Sequence, residues 1–226
     1  MGTEQKSADL PYLFKLFLTE IPSSISTKAD PERSGLPSGS MRPESAASHE
    51  LTVRALTFYL GRTPSPEELA GRARTPQGKP YFPGYPDFMY SISHSGRYAV
   101  CGMIFGGRDP QPVGIDIQKI PSNPERALKI ADRFFSEPEK ESLHELIREG
   151  DSSSALLLFA RYWTARESYI KLTGRGLAEP FHSYRPDLDR GRIITADPSR
   201  EIYLTERAAP EGYCLTVCSY VPLQQD

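Results

Sequence analysis

The sequence predicts an α+β protein made of two similar halves related by a pseudo-twofold axis, residues 1–112 and residues 113–226. Each half contains a helix, a glycine-containing turn and a closing β-hairpin. The closing hairpins read SGRYAVCGMIF in the first half and PEGYCLTVCSY in the second. The two halves share little sequence identity, but the order of their elements repeats, which indicates an internally repeated architecture.

The first half begins with signals for a strand, a loop and two helices. Residues 11–21 alternate well enough between apolar and polar side chains to predict a strand. Residues 22–47 are rich in Ser, Pro and Gly and show no apolar period, so we expect a long surface loop. A helix follows over roughly residues 48–60, and Ser65 before a Pro-Glu-Glu run is typical of the N-cap of a short second helix.

A basic turn and a hairpin complete the first half. Arg74 and Lys79 flank a turn at Gly78. Two cations beside a glycine turn suit a phosphate, although basic loops are more often simply solvated. Residues 88–106 predict a hairpin that turns beside His94. Taken alone, this histidine is interpreted as an ordinary turn residue, and no metal site is expected there because no second His or Cys lies at ligand spacing.

The second half opens with the strand VGIDIQK, residues 113–119. Its period of two places Asp116 and Gln118 on one face and two isoleucines on the other. A lone carboxylate in such surroundings must be solvated or paired, since an unpaired buried charge is costly. Residues 124–148 are predicted to be helical, and residues 181–221 contain β-rich runs separated by polar turns.

The most informative pattern of the second half lies in the stretch YWTARESYIKLTGRG, residues 162–176. Trp163, Glu167 and Lys171 are each four residues apart, so they stack along one line of a helix at the edge of an apolar stripe. Gly174 then ends the helix. A carboxylate and an ammonium are thereby held beside the only tryptophan of the chain, although an ordinary surface ion pair is the alternative.

Composition excludes several classes of function. The chain carries 27 basic and 29 acidic residues, so no basic excess indicates a nucleic-acid surface. Its three cysteines follow no signal peptide and are expected to be small buried side chains of a reducing compartment. The longest apolar run, residues 155–160, is too short to span a membrane. We therefore expect a soluble cytoplasmic protein without nucleic-acid or membrane partners.

Five motifs follow one another along the chain: GKPY (78–81), SISHSG (91–96), VGIDI (113–117), FFSEPE (134–139) and WTARESYIKLTGRGL (163–177). Together they resemble the 4′-phosphopantetheinyl transferases of the surfactin (Sfp) type over roughly residues 48–221. The resemblance implies the 4′-phosphopantetheinyl transferase fold, as a monomer with its active site in the cleft between the halves.

The activity implied by this resemblance is that of a holo-[acyl-carrier-protein] synthase. Such an enzyme moves 4′-phosphopantetheine from coenzyme A to a serine of an apo acyl or peptidyl carrier protein. The reaction depends on Mg²⁺ and releases adenosine 3′,5′-bisphosphate. Carriers of this kind serve fatty-acid, polyketide and nonribosomal peptide biosynthesis, and the sequence does not select among these pathways.

The resemblance also implies roles for individual residues, with Asp116, Glu167 and Lys171 as the catalytic set. Asp116 and Glu167 would bind the metal, with Gln118 as a further ligand, and Lys171 would contact the migrating phosphate. Glu167 would also take the proton of the carrier serine, directly or through water. The residues implied to hold coenzyme A, chiefly its phosphates, are Arg74, Lys79, Ser93, His94 and Lys171.

Two departures from the family pattern keep alternatives open. Many members carry Glu where this chain has Gln118, which removes one negative charge and predicts weaker Mg²⁺ binding rather than inactivity. The usual basic segment ahead of the first helix is replaced by a Ser/Pro-rich stretch with only Lys28, Arg33 and Arg42. A non-catalytic carrier-binding homologue is therefore one alternative. A metal-dependent phosphodiesterase is another, because two carboxylates and a lysine also suit attack by water.

A basic stripe suggests where a carrier protein would dock. Arg126, Lys129 and Arg133 are spaced to lie on one side of a helix. Carrier proteins are typically acidic around the modified serine, so we hypothesise that this stripe attracts the carrier. The alternative is a solvated helix face.

Overall fold

The computed structural model describes residues 12–22, 42–107, 109–181, 183–197 and 199–223. Within these ranges helices and strands are mixed along the chain, which confirms the predicted α+β class. No helix in these ranges is long and apolar enough to cross a membrane.

The first half is a three-stranded antiparallel sheet with one long helix packed on it. Its elements in chain order are β1 (Tyr12–Glu20), α1 (Pro43–Leu60), α2 (Pro66–Ala70), β2 (Ala73–Arg74), β3 (Pro80–Tyr81), β4 (Tyr90–Ser95) and β5 (Tyr98–Gly106). Helix α1 buries Leu51, Ala55 and Leu56 against β1, β4 and β5. Strands β2 and β3 form a separate ribbon around the basic turn.

The second half is a five-stranded sheet with three helices. Its elements are β6 (Val113–Lys119), α3 (Pro124–Phe134), α4 (Glu137–Arg148), α5 (Ser152–Thr173), a 3-10 turn (Gly176–Ala178), β7 (Tyr184–Asp187), β8 (Arg192–Thr195), β9 (Tyr203–Glu206) and β10 (Tyr213–Ser219). Helix α5 packs on β6 and β10, while α3 and α4 pack on the outer side of α5.

The two sheets repeat one strand order, in agreement with the predicted pseudo-twofold relation. The first sheet has the order β1-β5-β4 and the second begins β6-β10-β9. In each half, the opening strand therefore pairs antiparallel with the closing strand. The hairpin partner of that closing strand lies on its other side, as β4 or β9. The second half extends this pattern by two strands, β8 and β7.

Two predicted boundaries differ from the structure. Helix α1 begins at Pro43, inside the predicted loop, because Pro occupies a first-turn position and Glu44 favours the helix N-terminus. The rest of that loop, residues 23–41, lies outside the described residues. The predicted helical stretch 124–148 is two helices, because Phe135 leaves the helix with extended backbone angles and Ser136 starts a new capping box.

The sheets of the two halves share one core. Phe14 and Ile104 of the first sheet pack with Ile115, Leu215 and Val217 of the second. The three cysteines, as predicted, are free and buried in the structure. Burial raises the pKa of the Cys214 thiol to about 11 and that of Cys218 to about 12, so both stay protonated.

Serine hydroxyls join the outer strand of one sheet to the outer strand of the other. Strand β4 lies beside β6 without pairing with it through the backbone. Instead, Ser91 Oγ accepts a hydrogen bond from the Ile115 N–H at 3.1 Å, and Ser95 Oγ accepts one from the Lys119 N–H at 3.0 Å. Alternate serines of the SISHSG motif thus face β6, and the seam they make runs along one side of the cleft between the halves.

Candidate active site

A cavity of about 890 Å³ lies between the two halves of the chain. It is lined by side chains from α1, the basic turn, β4, β6 and α5. All the residues that the resemblance implicates face it, and these are Arg74, Lys79, Ser93, His94, Asp116, Gln118, Glu167 and Lys171. The structure therefore brings together residues from both halves that are far apart in the sequence.

Gly114 allows the strand that carries Asp116 to lie against the helix that carries Glu167. A Cβ atom at Gly114 would lie 1.8 Å from the carbonyl oxygen of Ser168 and 2.5 Å from the backbone nitrogen of Leu172. Only a residue without a side chain permits this approach of β6 to α5. Glycine is thus required in the VGIDI motif for a steric reason, because the close approach of β6 and α5 brings the two carboxylates into one cavity.

Asp116 is a buried carboxylate with two donors. Its side chain is 7% exposed, and Oδ1 accepts hydrogen bonds from Ser93 Oγ at 2.6 Å and from Lys171 Nζ at 2.7 Å. These contacts compensate the charge that burial would otherwise penalise. The alternation predicted for β6 is partly confirmed, since Asp116 and Gln118 both line the cavity and Ile115 and Ile117 belong to the shared core.

Glu167 lies one helical turn before Lys171 and feels the charge of Asp116. Burial, and then the negative charge of Asp116, raise the pKa of the Glu167 carboxyl, while Lys171 opposes the rise. A carboxyl group whose ionisation is opposed by burial and by a neighbouring carboxylate in the same cavity favours a bound cation. The alternative of an ordinary surface ion pair between Glu167 and Lys171 is not what the structure shows, because Lys171 pairs with Asp116 of strand β6.

Gln118 lines the same cavity with a neutral amide. Its Nε2 donates to the carbonyl oxygen of Lys119 at 2.9 Å, so this bond uses the amide nitrogen rather than the oxygen. Among the described residues, no three His, Cys, Asp or Glu side chains cluster in the manner of a protein-only metal site. A cation held here would take its other ligands from water or substrate.

The basic side of the cavity differs from the prediction in its details. Arg74 is exposed and its Nη1 donates to the carbonyl oxygen of Gly78 at 2.8 Å, across the turn. Lys79 Nζ is half-buried and donates to backbone carbonyl groups rather than standing free. Ser93 donates its hydroxyl hydrogen to Asp116. Of the predicted coenzyme-binding side chains, Arg74 and His94 are the exposed ones.

His94 is a strand residue and not the turn residue that the sequence suggested. It lies opposite Ala99 in the β4–β5 register, and the hairpin turns later, at Gly96 and Arg97. Gly96 has φ +55°, a left-handed conformation that favours glycine at a tight turn. The β4–β5 ladder continues one residue beyond His94, to the pair of Ser95 with Tyr98. His94 therefore lies within the strand, next to Ser93, and faces the cavity.

Sequence reasoning missed two basic side chains of the cavity wall. His49 of α1 and Arg72, just before β2, both line the cavity. The signal for Arg72 was its spacing of two from Arg74, which places both on one face of an extended segment. His49 lies within the predicted helix 48–60, but no local pattern shows which side of that helix faces a cavity.

An internal ion pair behind the site was also missed. Arg166, adjacent to Glu167, is 0% exposed and its Nε donates to Glu139 Oε1 at 3.2 Å, while Nη2 donates to Glu139 Oε2. Its Nη1 donates to the carbonyl oxygen of Phe181 at 2.9 Å. All three nitrogen atoms of the guanidinium are engaged, so the pair anchors α5 to α4 next to Glu167.

A second cavity of about 410 Å³ adjoins the first and shares Gln118 and Trp163 with it. Its floor includes Ile130 and Phe159, and Arg126 lies at its wall. Arg126, Lys129 and Arg133 are all exposed on α3, as the predicted stripe requires. One member of the stripe, Arg126, therefore lies at a cavity that adjoins the main one.

Known protein families and sequences match the part of the chain that carries this site. Residues 112–218 match the family model of the 4′-phosphopantetheinyl transferase superfamily. A 4′-phosphopantetheinyl transferase of Bacillus subtilis is 36% identical over 148 residues, which are 64% of this chain and 61% of that protein. The 4′-phosphopantetheinyl transferase Sfp of Bacillus subtilis strain 168 is 34% identical over 148 residues, with the same shares of 64% and 61%.

A further similar protein is the 4′-phosphopantetheinyl transferase gsp of Aneurinibacillus migulanus, which is 33% identical over 172 residues. That alignment covers 75% of this chain and 66% of the gsp protein. The chain thus spans 61% of the length of the two Bacillus proteins that it matches.

Proposed function

Because the chain belongs to the 4′-phosphopantetheinyl transferase superfamily, we propose that it transfers 4′-phosphopantetheine from coenzyme A to a serine of an apo carrier protein, releasing adenosine 3′,5′-bisphosphate. The observation that carries this proposal is the single cavity in which Asp116, Glu167 and Lys171 face basic and hydroxyl side chains of the other half. A cation-binding end beside a phosphate-binding wall suits the pyrophosphate of coenzyme A.

Mg²⁺ is the metal that these side chains fit. Asp116 and Glu167 offer two carboxylates and Gln118 a neutral amide, all in one cavity. Mg²⁺ is usually bound through one or two carboxylates and keeps waters and substrate phosphates as its other ligands. When bound, it would neutralise the negative charge that grows on the phosphoryl oxygens. The amide at Gln118 predicts weaker binding than a third carboxylate would give.

Glu167 and Lys171 have different roles in the proposed transfer. Glu167 accepts the proton of the carrier serine while the serine oxygen bonds to the phosphorus that carries the pantetheine. Burial, and then the charge of Asp116, raise the pKa of the Glu167 carboxyl, which is the direction that a proton acceptor needs. Lys171 stabilises the phosphoryl oxygens. The bond to the bisphosphate breaks with its electron pair on the departing oxygen.

The nucleotide side of coenzyme A is assigned to the opposite wall. Arg74 and His94 are exposed there and would donate to its phosphates, with Arg72 and His49 beside them. Ser93 directs its proton to Asp116 and would therefore orient that carboxylate, since a phosphate needs donors. This set takes the place of the basic segment that the family carries ahead of the first helix.

The proposal is tested by incubating the chain with coenzyme A, Mg²⁺ and an apo acyl or peptidyl carrier protein, and then weighing the carrier. A gain of one phosphopantetheine group on the carrier is the expected result. Complex formation without any gain in mass would favour the non-catalytic homologue. Breakdown of coenzyme A without a carrier would favour the phosphodiesterase.

Replacing Lys171 by Ala is expected to lower kcat more than it raises the KM for coenzyme A. The charge on the migrating phosphoryl group grows in the transition state, where a nearby ammonium counts most. Steady-state kinetics at saturating carrier separates the two parameters. If the KM for coenzyme A rises while kcat stays unchanged, Lys171 binds the ground state only and its assignment is wrong.

Reversing Arg126 and Arg133 to Glu is expected to raise the KM for the carrier protein and to flatten its salt dependence. Exposed charges of opposite sign mainly speed the encounter and are screened by salt. The KM for coenzyme A should stay unchanged, since both arginines lie outside the main cavity.

The control for this charge reversal is Arg148→Glu, another exposed arginine, at the end of α4. It should leave the carrier KM as it is in the wild type. Unchanged carrier kinetics in the double variant at low ionic strength would mean that the stripe is a solvated face and that docking lies elsewhere.

A further inference from the structure

Lys79 reaches from the basic turn of the first half to the end of a helix in the second. Its Nζ donates to the carbonyl oxygen of Lys171 at 2.6 Å and to that of Leu172 at 3.3 Å. A third contact at 3.5 Å joins it to the carbonyl oxygen of Val113, at the start of β6. The ammonium group has three hydrogens, so these three acceptors match its donor capacity.

Two of the three acceptors of Lys79 are carbonyl groups at the end of a helix, which the helix cannot satisfy itself. The last four carbonyl groups of an α-helix have no partner within the helix, and those of Lys171 and Leu172 belong to the last turn of α5. At this end of α5 the N–H of Gly174 donates to the carbonyl oxygen of Ile170, and not to that of Lys171 or Leu172. A cation at this end is also favoured by the helix dipole.

The lysine stem and the helix end fit each other sterically. Gly174 ends α5 with φ +69°, and a Cβ atom there would lie 3.3 Å from Cδ of Lys79. The aliphatic part of Lys79 therefore passes over the bare glycine. Burial lowers the pKa of the Lys79 ammonium to about 8, which leaves it mostly protonated at neutral pH.

We infer that Lys79 is a positioning residue, which holds the last turn of α5 against β6 and thereby fixes where Lys171 presents its side chain. Its contacts contrast with those of Arg74, which is exposed and bonds only to its own turn in the described contacts. Three carbonyl groups already occupy the Lys79 ammonium, so a phosphate would have to compete with them. The consequence for catalysis rests on the proposed transferase function, whereas the consequence for the helix does not.

The test compares Lys79→Met, which keeps the stem without the ammonium, with Arg74→Met. In the first arm, amide hydrogen exchange is measured on the ligand-free chain. Lys79→Met should speed exchange of amides 171–174 by about tenfold or more, because the last turn of α5 opens more often. Arg74→Met should leave these amides as they are in the wild type, since the Arg74 guanidinium donates to Gly78 within its own turn.

In the second arm, kinetics separates positioning from binding. Lys79→Met should lower kcat roughly tenfold with the KM for coenzyme A within about twofold, and Arg74→Met should raise that KM instead. A raised KM for coenzyme A in Lys79→Met, with unchanged exchange at the helix end, would show that Lys79 is a phosphate ligand and overturn the inference.

Two further outcomes are also decisive. If Lys79→Met does not fold, Lys79→Arg replaces it, because a planar guanidinium cannot reproduce the three carbonyl contacts but remains a cation for phosphate. Faster exchange at residues 171–174 in Lys79→Arg supports positioning, and wild-type exchange overturns it. If the wild-type chain fails to load any carrier, the proposed function fails, and the exchange arm still decides the role of Lys79.

Discussion

Replacing Asp116 or Glu167 by Ala is expected to abolish transfer to the carrier while the chain stays folded. Each change removes one of the two carboxylates of the proposed metal site, which weakens the binding of the cation and misplaces it relative to the phosphoryl oxygens. The loss should far exceed tenfold, which corresponds to about 1.4 kcal/mol in the transition state. Activity is measured as mass gained by the carrier protein, with circular dichroism to verify the fold.

The two variants should differ in one respect that the structure explains. Asp116→Ala also removes the partner of the Lys171 ammonium, whereas Glu167→Ala leaves that pair intact. A matched control is Glu145→Ala, an exposed carboxylate of α4 away from the cavity, which should keep wild-type activity. If either site variant retains activity within about tenfold of the wild type, the assignment of the metal site is wrong.

Replacing Gly114 by Ala is expected to cost about 3 kcal/mol or more of the free energy of unfolding, and to remove activity with it. The added methyl group would meet the carbonyl oxygen of Ser168 at 1.8 Å, and this neighbour is helix backbone that cannot rotate away. Strand β6 and helix α5 would have to separate, which moves Asp116 away from Glu167. Urea-induced unfolding of the variant and the wild type measures the difference.

The control for this substitution is Gly84→Ala, because a Cβ atom there meets nothing within 4 Å and the backbone does not require glycine. Its unfolding midpoint should match that of the wild type. A Gly114→Ala chain as stable as the wild type would mean that α5 and β6 adjust freely, and that the glycine does not set the distance between the carboxylates.

The parts of the site that follow local rules could be predicted from the sequence. Helical spacing placed Glu167 and Lys171 on one line of α5, and a period of two placed Asp116 and Gln118 on one face of β6. Both placements hold in the structure. That these two lines face each other does not follow from any local pattern, and it was expected only because five motifs in order resembled one family.

What could not be predicted depends on contacts between distant elements. A charged residue such as Arg166 is expected at the surface, and its burial becomes reasonable only once Glu139 of another helix is known to meet it. The same holds for Lys79, since the unpaired carbonyl groups at the end of α5 come near it only in the folded chain. His94 was predicted at the hairpin turn and lies within β4, because the β4–β5 ladder is one residue pair longer than the sequence indicated.

The serine seam between β4 and β6 has a consequence for aggregation. An outer strand with unpaired backbone groups is a template on which another chain can add a strand. Here Ser91 and Ser95 occupy two backbone N–H groups of β6 with side-chain oxygens, which block addition at that strand without extending the sheet. Strands β4 and β6 thus cover each other's outer edges, and the outer strands on which another chain could add are β1 and β7, at the far side of each sheet.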